Sequence, residues 1–144
     1  MSSNDRSERR VHIEFDSKKS MYNTSNLFFM GSCFGEEIHK KMIEIGHTSS
    51  ISNPFGTIFH PIPLLENLER ILLNKPCSAQ EIFTQTTLKS VAHHHLQFAY
   101  RFHNAHRTNL INQINQTTED AHKQLLASSH LFITLGTAWH YHHI

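Results

Sequence analysis

Two short apolar runs predict strands that are buried on both faces. The first run covers residues 27–30 and the second covers residues 131–135, and a glycine follows each at once. Continuous apolar strands of this kind are typical of a parallel sheet that helices cover on both faces. A third strand is predicted at residues 47–51, before the turn signal Asn-Pro-Phe-Gly at residues 53–56.

The segment after the first strand has the periodicity of an amphipathic helix. Apolar residues recur there about every 3.6 positions, and charged residues fill the opposite side. The predicted apolar face consists of Phe34, Ile38, Met42 and Ile45. Ser32 stands where it can cap the first turn, and Gly46 can end the helix.

Two further helices are predicted before the last strand. One begins with Pro63 at its first position and stops before residues 74–76, and the other spans residues 108–128. The apolar face of the first holds Leu64, Leu65, Leu68, Ile71 and Leu72, and that of the second holds Leu110, Ile111, Ile114, Ala121 and Leu125. Residues 77–83 allow one short helical turn, and residues 84–107 show no sustained period.

The order of these elements predicts the fold class. Strand, helix, strand, helix, helix, strand is the order of a parallel sheet with helical crossovers, so we expect an α/β sandwich with helices on the faces of the sheet. Residues 1–25 are polar and are predicted to be a solvated arm, with a possible short strand at Val11, Ile13 and Phe15. Residues 26–144 form the expected domain.

Composition and charge exclude several classes of protein. Thirteen Lys and Arg against twelve Asp and Glu leave a net charge of +1, which gives no broad field for nucleic acid or for an anionic membrane. No apolar run is long enough to span a bilayer, and the polar start lacks the apolar segment of a secretory signal, so a cytoplasmic location is expected. Cys33 and Cys77 form neither a metal motif nor a disulfide framework.

The fourteen histidines raise a rival hypothesis, a His-rich metal-binding module. Imidazole is a common zinc ligand, and His103 with His106 can share a helical face. The histidines crowd two places: His93, His94, His95, His103 and His106 in the first, and His140, His142 and His143 in the second. Since this spacing fits no defined site, we expect no bound metal.

Ser32 is the strongest candidate for chemistry. It follows a buried strand and Gly31 and opens a helix, so free backbone N–H groups and the positive end of the helix dipole lie beside it. Such groups can stabilise an oxyanion. Two interpretations stay open, because Ser32 can act on a ligand beyond the carboxyl end of the strand or can merely cap the helix.

Cys33 is a second candidate nucleophile. A thiolate is favoured in the first turn of a helix, and a cysteine needs less activation than a serine. The alternative is that Cys33 points into the fold beside Phe34, because free cysteines are among the most buried residues.

Three short blocks resemble the motifs of the GSCFA family. They read Gly-Ser-Cys-Phe at residues 31–34, Asn-Pro-Phe-Gly at residues 53–56 and Thr-Leu-Gly-Thr-Ala-Trp at residues 134–139. The blocks occur in order and at suitable spacing, and Gly35 stands where the family usually has alanine. The likeness extends from residue 26 to the end of the sequence.

The resemblance implies a fold, an activity and roles for several residues. The GSCFA family is similar to the SGNH hydrolases, which have a flavodoxin-like three-layer α/β/α sandwich and a serine nucleophile after the first strand. By that likeness Ser32 attacks the carbonyl of a small-molecule or acylated substrate, and its own N–H helps to bind the oxyanion. Gly56 and Gly136 correspond to further oxyanion donors, and Asn53 can add a side-chain donor. His94 corresponds loosely to a histidine of relatives, and no cofactor is implied.

Two departures from the SGNH pattern bear on activity. Residues 137–138 are Thr-Ala, where the third SGNH block usually carries an oxyanion-hole asparagine. SGNH enzymes also take their His and Asp from a block near the C-terminus, whereas this chain ends at Ile144. We therefore expect an incomplete sandwich, a truncated domain that is inactive by itself, with a non-catalytic scaffold as the alternative.

Overall fold

The computed structural model describes residues 25–47, 49–87, 91–99 and 101–136. Its strands are β1 (Leu27–Gly31), β2 (Ser50–Ser52), β3 (Ile82–Thr86), β4 (Val91–His95), β5 (His103–Asn104) and β6 (His130–Thr134). Its helices are α1 (Cys33–Glu44), α2 (Pro61–Leu72) and α3 (Arg107–Ala127), and a single 3-10 turn covers Ala79–Glu81. The possible strand at residues 11–15 lies outside the described residues.

The predicted parallel sheet is confirmed. Its strand order is β2-β1-β6, with β1 paired in parallel to both neighbours. Phe28 of β1 lies level with Ile51 of β2 and with Leu131 of β6. Since parallel neighbours need a crossover connection, α1 fills the one between β1 and β2.

The central strand β1 is buried on both faces, as its apolar run predicts. Phe28 and Met30 belong to the core that α2 and α3 also line. On the other face, the ring of Phe29 stacks on Phe132 at 4.8 Å and contacts the ring of His39 on α1 at 5.7 Å. Helices therefore lie on both faces of the sheet, which is the expected sandwich arrangement.

Helix α1 begins and ends as predicted but packs through a different face. Gly46 has a φ of 91° and follows the last turn, with its N–H bonded to the carbonyl of Ile43 at 2.9 Å. The predicted apolar face is wrong at both ends, because Phe34 is 64% exposed and Ile45 is 76% exposed. Gly35 is the buried residue of the helix, and its missing side chain lets α1 approach β6 closely.

Helices α2 and α3 confirm the predicted segments. α2 begins at Pro61 rather than Pro63, and α3 begins and ends one residue earlier than predicted. The buried positions on the predicted faces are Leu64 and Ile71 on α2 and Leu110, Ile114 and Ala121 on α3. Leu65 and Leu72 were also predicted to face the core, but both are exposed. None of the described helices is long and apolar enough to cross a membrane.

A second sheet, which the sequence did not predict, is formed by residues 82–86, 91–95 and 103–104. Most of it lies in the segment 84–107, for which the sequence shows no sustained period. It is antiparallel, with the order β3-β4-β5. Ile82 pairs with His95 at one end, and His94 pairs with His103. Its strands carry few apolar side chains, and β5 has only two residues, so no strand periodicity marks them.

The loop after β4 packs on the turn after β2 and joins the two sheets. Phe55 stacks on Phe98 at 4.3 Å and contacts Phe102 at 5.7 Å. The N–H of Ala99 donates to the carbonyl of Phe55 at 2.9 Å. Gly56 lies under this loop, where a Cβ would lie 2.2 Å from the Cβ of Ala99. The Asn-Pro-Phe-Gly turn is therefore fixed by the antiparallel sheet as well as by β2.

Strand β6 lies at an edge of the described sheet, although its apolar sequence predicts a central position. Leu131 and Ile133 lie level with Phe28 and Met30 of β1, and they extend the same apolar face. They are 41% and 47% exposed. Among residues 25–136 as far as they are described, no further strand pairs with β6.

Candidate functional site

Ser32 lies at the carboxyl end of the central strand, after a position that requires glycine. Gly31 has a φ of 125°, and a Cβ there would lie 1.9 Å from the carbonyl oxygen of Thr134. A side chain would therefore overlap β6 as well as strain the backbone. The chain turns directly from β1 into α1, and Ser32 is 6% exposed.

The side chain of Ser32 does not cap α1. Ser32 occupies the N-cap position, yet its hydroxyl makes no hydrogen bond to the first turn of the helix. Its Oγ lies 3.1 Å from Oγ1 of Thr134, the last residue of β6. The interpretation that Ser32 merely caps the helix is therefore wrong, since its hydroxyl is bonded to the neighbouring strand instead.

The N–H groups that the resemblance assigns to an oxyanion hole all have carbonyl partners in the structure. The N–H of Ser32 donates to the carbonyl of Thr134 at 2.8 Å and to its Oγ1 at 3.0 Å. The N–H of Gly56 donates to Asn53 at 2.8 Å, and that of Gly136 donates to Phe59 at 3.1 Å. An oxyanion could use these donors only after they left their present acceptors.

Asn53 joins the end of β1 to the start of α1. It is a buried residue with a φ of 43°, a conformation that asparagine tolerates better than most residues. Its Oδ1 accepts the N–H of Gly31 at 2.7 Å, and its Nδ2 donates to Glu36 at 3.2 Å. Arg101 holds the same turn from outside, because it donates to the carbonyls of Asn53 at 3.0 Å and Pro54 at 2.6 Å.

The free N–H groups next to Ser32 belong to the first turn of α1. Within the described part of the chain, the N–H groups of Cys33 and Phe34 have no hydrogen-bond partner, while Gly35 donates to the carbonyl of Ser32 at 3.0 Å. Unpaired N–H groups at a helix N-terminus carry the positive end of the helix dipole. They are therefore the donors best able to receive an anion beside Ser32.

Cys33 is exposed on the surface of α1. The expectation that it points into the fold beside Phe34 is wrong, because both side chains face outward. The helix instead meets the sheet at Gly35, where a Cβ would lie 2.9 Å from Oγ1 of Thr134. The alanine that is usual at this motif position would thus press on the oxygen that binds Ser32.

No histidine or carboxylate bonds to the Ser32 hydroxyl among the described residues. The ring of His39 lies against Phe29, and Nδ1 of His60 accepts the N–H of Ile62 at 3.2 Å at the start of α2. His94 lies on β4 and stacks on His103 at 5.9 Å. The structure therefore brings Asn53 beside Gly31 and Thr134 beside Ser32, but it shows no contact between His94 and Ser32.

A second cluster of polar side chains, absent from the sequence prediction, lies between α2 and the antiparallel sheet. The buried Arg70 of α2 forms an ion pair with the partly exposed Glu81 and also donates to the carbonyl of Lys75 at 3.1 Å. Glu81 accepts the N–H of Ser78 at 2.8 Å, and this Ser-x-x-Glu capping box is the one sequence signal for its position. Nε2 of His95 lies 3.5 Å from the same carboxylate.

The ion pair and the capping box keep Glu81 charged. Burial alone would raise the pKa of this carboxyl, but the Ser78 N–H and the Arg70 guanidinium outweigh it and lower the pKa to about 2. The neighbouring thiol responds in the opposite way. Burial, and secondarily the charge of Glu81, raises the pKa of Cys77, so this cysteine is a protonated thiol at neutral pH.

Ligand atoms of Cys77, Glu81 and His95 lie within 4.8 Å of one another, yet the surrounding groups do not suit a metal ion. Arg70 already supplies the positive charge that balances Glu81. The N–H of Gln97 points at Nδ1 of His95 at 3.3 Å, which leaves the ring proton on Nε2, the nitrogen that faces the cluster. A ligating histidine needs the reverse arrangement, with a free pair on that nitrogen.

The crowded histidines are separated in the fold. His93 and His95 lie on one face of β4 and His94 lies on the other, since side chains alternate along a strand. His103 is on β5 and His106 precedes α3, so the prediction that these two share a helical face is wrong. The histidines at positions 140–143 lie outside the described residues.

Comparison with known proteins gives one finding. The family model described as "GSCFA family" matches residues 26–144. No curated protein and no solved structure matches the chain. The matched span includes Ser32, the turn of Asn53 and the charged cluster of Arg70, Glu81 and His95.

Proposed function

This chain belongs to the GSCFA family, and from that premise we propose that it is a serine ester hydrolase of the SGNH type with Ser32 as its nucleophile. One observation carries the proposal. The Ser32 hydroxyl stands at the carboxyl end of the central parallel strand without capping α1. Ligands of open α/β sheets bind at that edge, so this hydroxyl has the position of a reacting group and is released from the commonest structural duty of a serine there.

The proposed reaction is acyl transfer to Ser32 and then to water. Oγ of Ser32 forms a bond to the carbonyl carbon of an ester while its proton passes to a base, and the carbonyl oxygen becomes an oxyanion. The alcohol then leaves with a proton, and water cleaves the acyl-serine in the same way. The N–H groups of Cys33 and Phe34 are the proposed oxyanion donors, because they need not leave another acceptor first.

Thr134 and Asn53 position the nucleophile in this proposal. Thr134 accepts both the N–H and the hydroxyl of Ser32, which fixes the serine rotamer. Asn53 holds the N–H of Gly31 and so fixes the strand end that carries the serine. Gly56 and Gly136 keep the role of oxyanion donors only if substrate binding frees their N–H groups from Asn53 and Phe59.

The substrate class in the proposal is an acylated small molecule, and the location is cytoplasmic. A general base must come within roughly 2.6–3.2 Å of Oγ, directly or through one water. Among the described side chains no such base contacts Ser32, so hydrolysis by this chain is expected to be slow. The Ser32 hydroxyl is a weak nucleophile until a base activates it.

A non-catalytic scaffold is the second candidate function, and a specific observation favours it. The N–H groups of Ser32, Gly56 and Gly136 are all bonded to carbonyls. A loop network satisfied in this way needs no ligand to complete it. The two candidates differ in one respect, because only the hydrolase requires the Ser32 oxygen to become acylated.

Acylation of Ser32 tests the proposal directly. The purified chain is incubated with p-nitrophenyl acetate, and both the release of p-nitrophenol and the mass of the protein are followed. We expect turnover above the buffer rate and a transient acetyl group on the peptide that contains Ser32. Ser32→Ala should reduce turnover to the buffer rate and should remove the acetyl group.

The matched control is Ser49→Ala, which alters an exposed serine at the opposite end of β1, where its carbonyl accepts the N–H of Leu27 at 2.9 Å. This variant should keep both signals. Equal turnover in the wild-type and Ser32→Ala proteins, each with a cooperative melt by circular dichroism, would support the scaffold and reject the hydrolase.

A further inference from the structure

A column of stacked rings connects the charged cluster to the turn beside Ser32. The ring of His95 lies on Phe98 with centroids 3.8 Å apart and planes 9° from parallel. Phe98 lies in turn on Phe55 at 4.3 Å and 11°. All three are buried, and Phe55 belongs to the turn that holds Asn53. His95 is therefore linked to that turn by an unbroken series of packed rings.

The charged and titratable groups around His95 come from three elements. From α2, Arg70 bonds to Glu81 and lies 5.8 Å over the ring of Phe98. From the segment before β3, the Glu81 carboxylate lies 3.5 Å from Nε2 of His95, and the Cys77 thiol is within 4.8 Å of the other ligand atoms. From α3, Arg107 donates to the carbonyls of Ala79 at the 3-10 turn and Ile82 of β3.

Nε2 of His95 is a buried polar atom that lacks a hydrogen bond in this cluster. At 3.5 Å the Glu81 oxygen is too far away for a good hydrogen bond, and that oxygen is already occupied by Arg70. The other ring nitrogen, Nδ1, faces the N–H of Gln97. A second proton on the ring would turn this N–H contact into a repulsive one and would add a cation beside Arg70.

We propose that protonation of His95 is an acid-sensitive switch, which loosens the antiparallel sheet from α2 and, through Phe98 and Phe55, the turn that carries Asn53. The switch does not depend on Ser32 being a nucleophile. It requires only that the ring in the folded protein be neutral, stacked and flanked by Arg70. Its expected consequence is a weaker hydrogen bond within the Asn53 turn at lower pH, which amide exchange can measure.

The sign of the effect follows from the environment of the ring. Burial lowers the pKa of His95, and the charge of Arg70 lowers it further, although Glu81 opposes them. The unfolded chain therefore binds a proton at a higher pH than the folded chain does. Stability is full above the ordinary pKa of histidine, and it falls with pH between that value and the lowered one.

Thermal unfolding of three proteins at about pH 7.5 and about pH 5.5 tests the switch. His95→Phe keeps the stacked ring but cannot bind a proton, and His94→Phe makes the same change on the opposite face of β4. We expect the Tm of the wild type and of His94→Phe to fall by about 2–5 °C between these conditions. The fall should be absent or clearly smaller in His95→Phe. A fall of the same size in all three proteins would overturn the proposal.

Two measurements on the wild type cover the case in which His95→Phe does not fold. The first is titration of the His95 ring protons by NMR, where an apparent pKa at or above the ordinary histidine value rejects the switch. The second is amide exchange at Gly56, whose N–H bonds to Asn53. Corrected for its intrinsic rate, this exchange should rise at the lower pH, and an unchanged protection factor would contradict the link from His95 to the turn.

Discussion

The edge of the sheet that carries Ser32 and the cluster that carries His95 are built from different forces. Around Ser32 the contacts are made by backbone groups, the Asn53 amide and the Thr134 hydroxyl, and the tight positions are glycines, as Gly31 shows. The cluster at His95 is built from the ion pair of Arg70 and Glu81, and the His95 ring itself stacks on Phe98. The Ser32 edge should therefore respond chiefly to changes of shape and the His95 cluster chiefly to changes of charge, and we expect pH to reach the Asn53 turn only through the His95 cluster.

A region built from tight backbone turns leaves a motif in the sequence, whereas a charged cluster does not. Backbone geometry at a tight turn demands particular residues in sequence order, so it leaves a short readable block such as residues 31–34. A charged cluster can be formed by side chains on separate elements, and no fixed order or spacing in the sequence is required. Arg70, Glu81 and His95 are far apart in the sequence and form no block.

The largest expected effect on the free energy of unfolding is at the Ser32 edge of the sheet. Gly31→Ala places a Cβ 1.9 Å from the carbonyl of Thr134 at a φ of 125°, so β1 and β6 cannot keep their register. We expect a loss of more than about 4 kcal/mol in the free energy of unfolding, or failure to fold. Urea unfolding followed by circular dichroism measures it.

Gly46→Ala is the matched control for that substitution. Gly46 also has a positive φ, of 91°, but among the described residues no atom beyond its two chain neighbours lies within 4 Å of its added Cβ. It should lose only the backbone term of about 1–2 kcal/mol. Similar losses in the two variants would mean that conformational strain, and not the contact with β6, fixes the turn.

An intermediate effect on the free energy of unfolding is expected in the cluster of Arg70, Glu81 and His95. Arg70→Met keeps much of the side-chain volume but leaves Glu81 without its buried partner. We expect a loss of about 2–4 kcal/mol, smaller than for a fully buried pair because Glu81 is partly exposed. Lys123→Met, which removes an exposed partner of Glu119, is the control and should change little.

The dependence of stability on strongly acid pH is expected to come chiefly from Glu81. Since the pKa of Glu81 is lowered from 4.5 to about 2, this carboxylate contributes stability that is present above pH 4.5 and is lost as pH falls toward 2. Arg70→Met should raise that pKa and so shrink the acid-dependent part of the stability. An unchanged acid profile in Arg70→Met would show that the Ser78 N–H alone keeps Glu81 charged.

The smallest expected effect on stability comes from removing the Thr134 hydroxyl at the Ser32 edge. Thr134→Val keeps the branched shape and removes the oxygen that accepts from Ser32, while the backbone bond at 2.8 Å remains. We expect a loss of about 1 kcal/mol in stability and a changed rate of Ser32 acylation. Thr134→Ser restores the hydroxyl and should recover the acylation rate, whereas loss of rate in both variants points to packing of the methyl group.

The parallel layers of the fold were predictable from the sequence, and the antiparallel sheet was not. Residues 27–30 and the helical segments bury large apolar faces, so their periodicity survives in the sequence. The strands β3, β4 and β5 are short and mostly polar, and the described residues between β4 and β5, 96–99 and 101–102, carry no clear turn signal. The exposed Phe34 shows the converse error, in which an apolar residue at the right spacing does not face the core.

The candidate site was predictable in position but not in bonding. The block at residues 31–34 locates Ser32, and the turn at residues 53–56 locates Asn53 near it. That Thr134 holds the Ser32 hydroxyl depends on a strand pairing across 102 positions, which local reasoning does not resolve. The roles of Gly56 and Gly136 as oxyanion donors stay predictions, since their N–H groups bond to carbonyls here.

The pairing of β1 with β6 also has a consequence for the newly made chain. The partner of β1 on that side lies about a hundred residues downstream, as the 102-residue separation of Ser32 and Thr134 illustrates. Ribosomes add roughly 5–20 residues per second, so the apolar β1 waits several seconds for β6 to be synthesised. During that interval the nascent chain exposes its most apolar strand, and we expect it to depend on chaperones more than its size suggests.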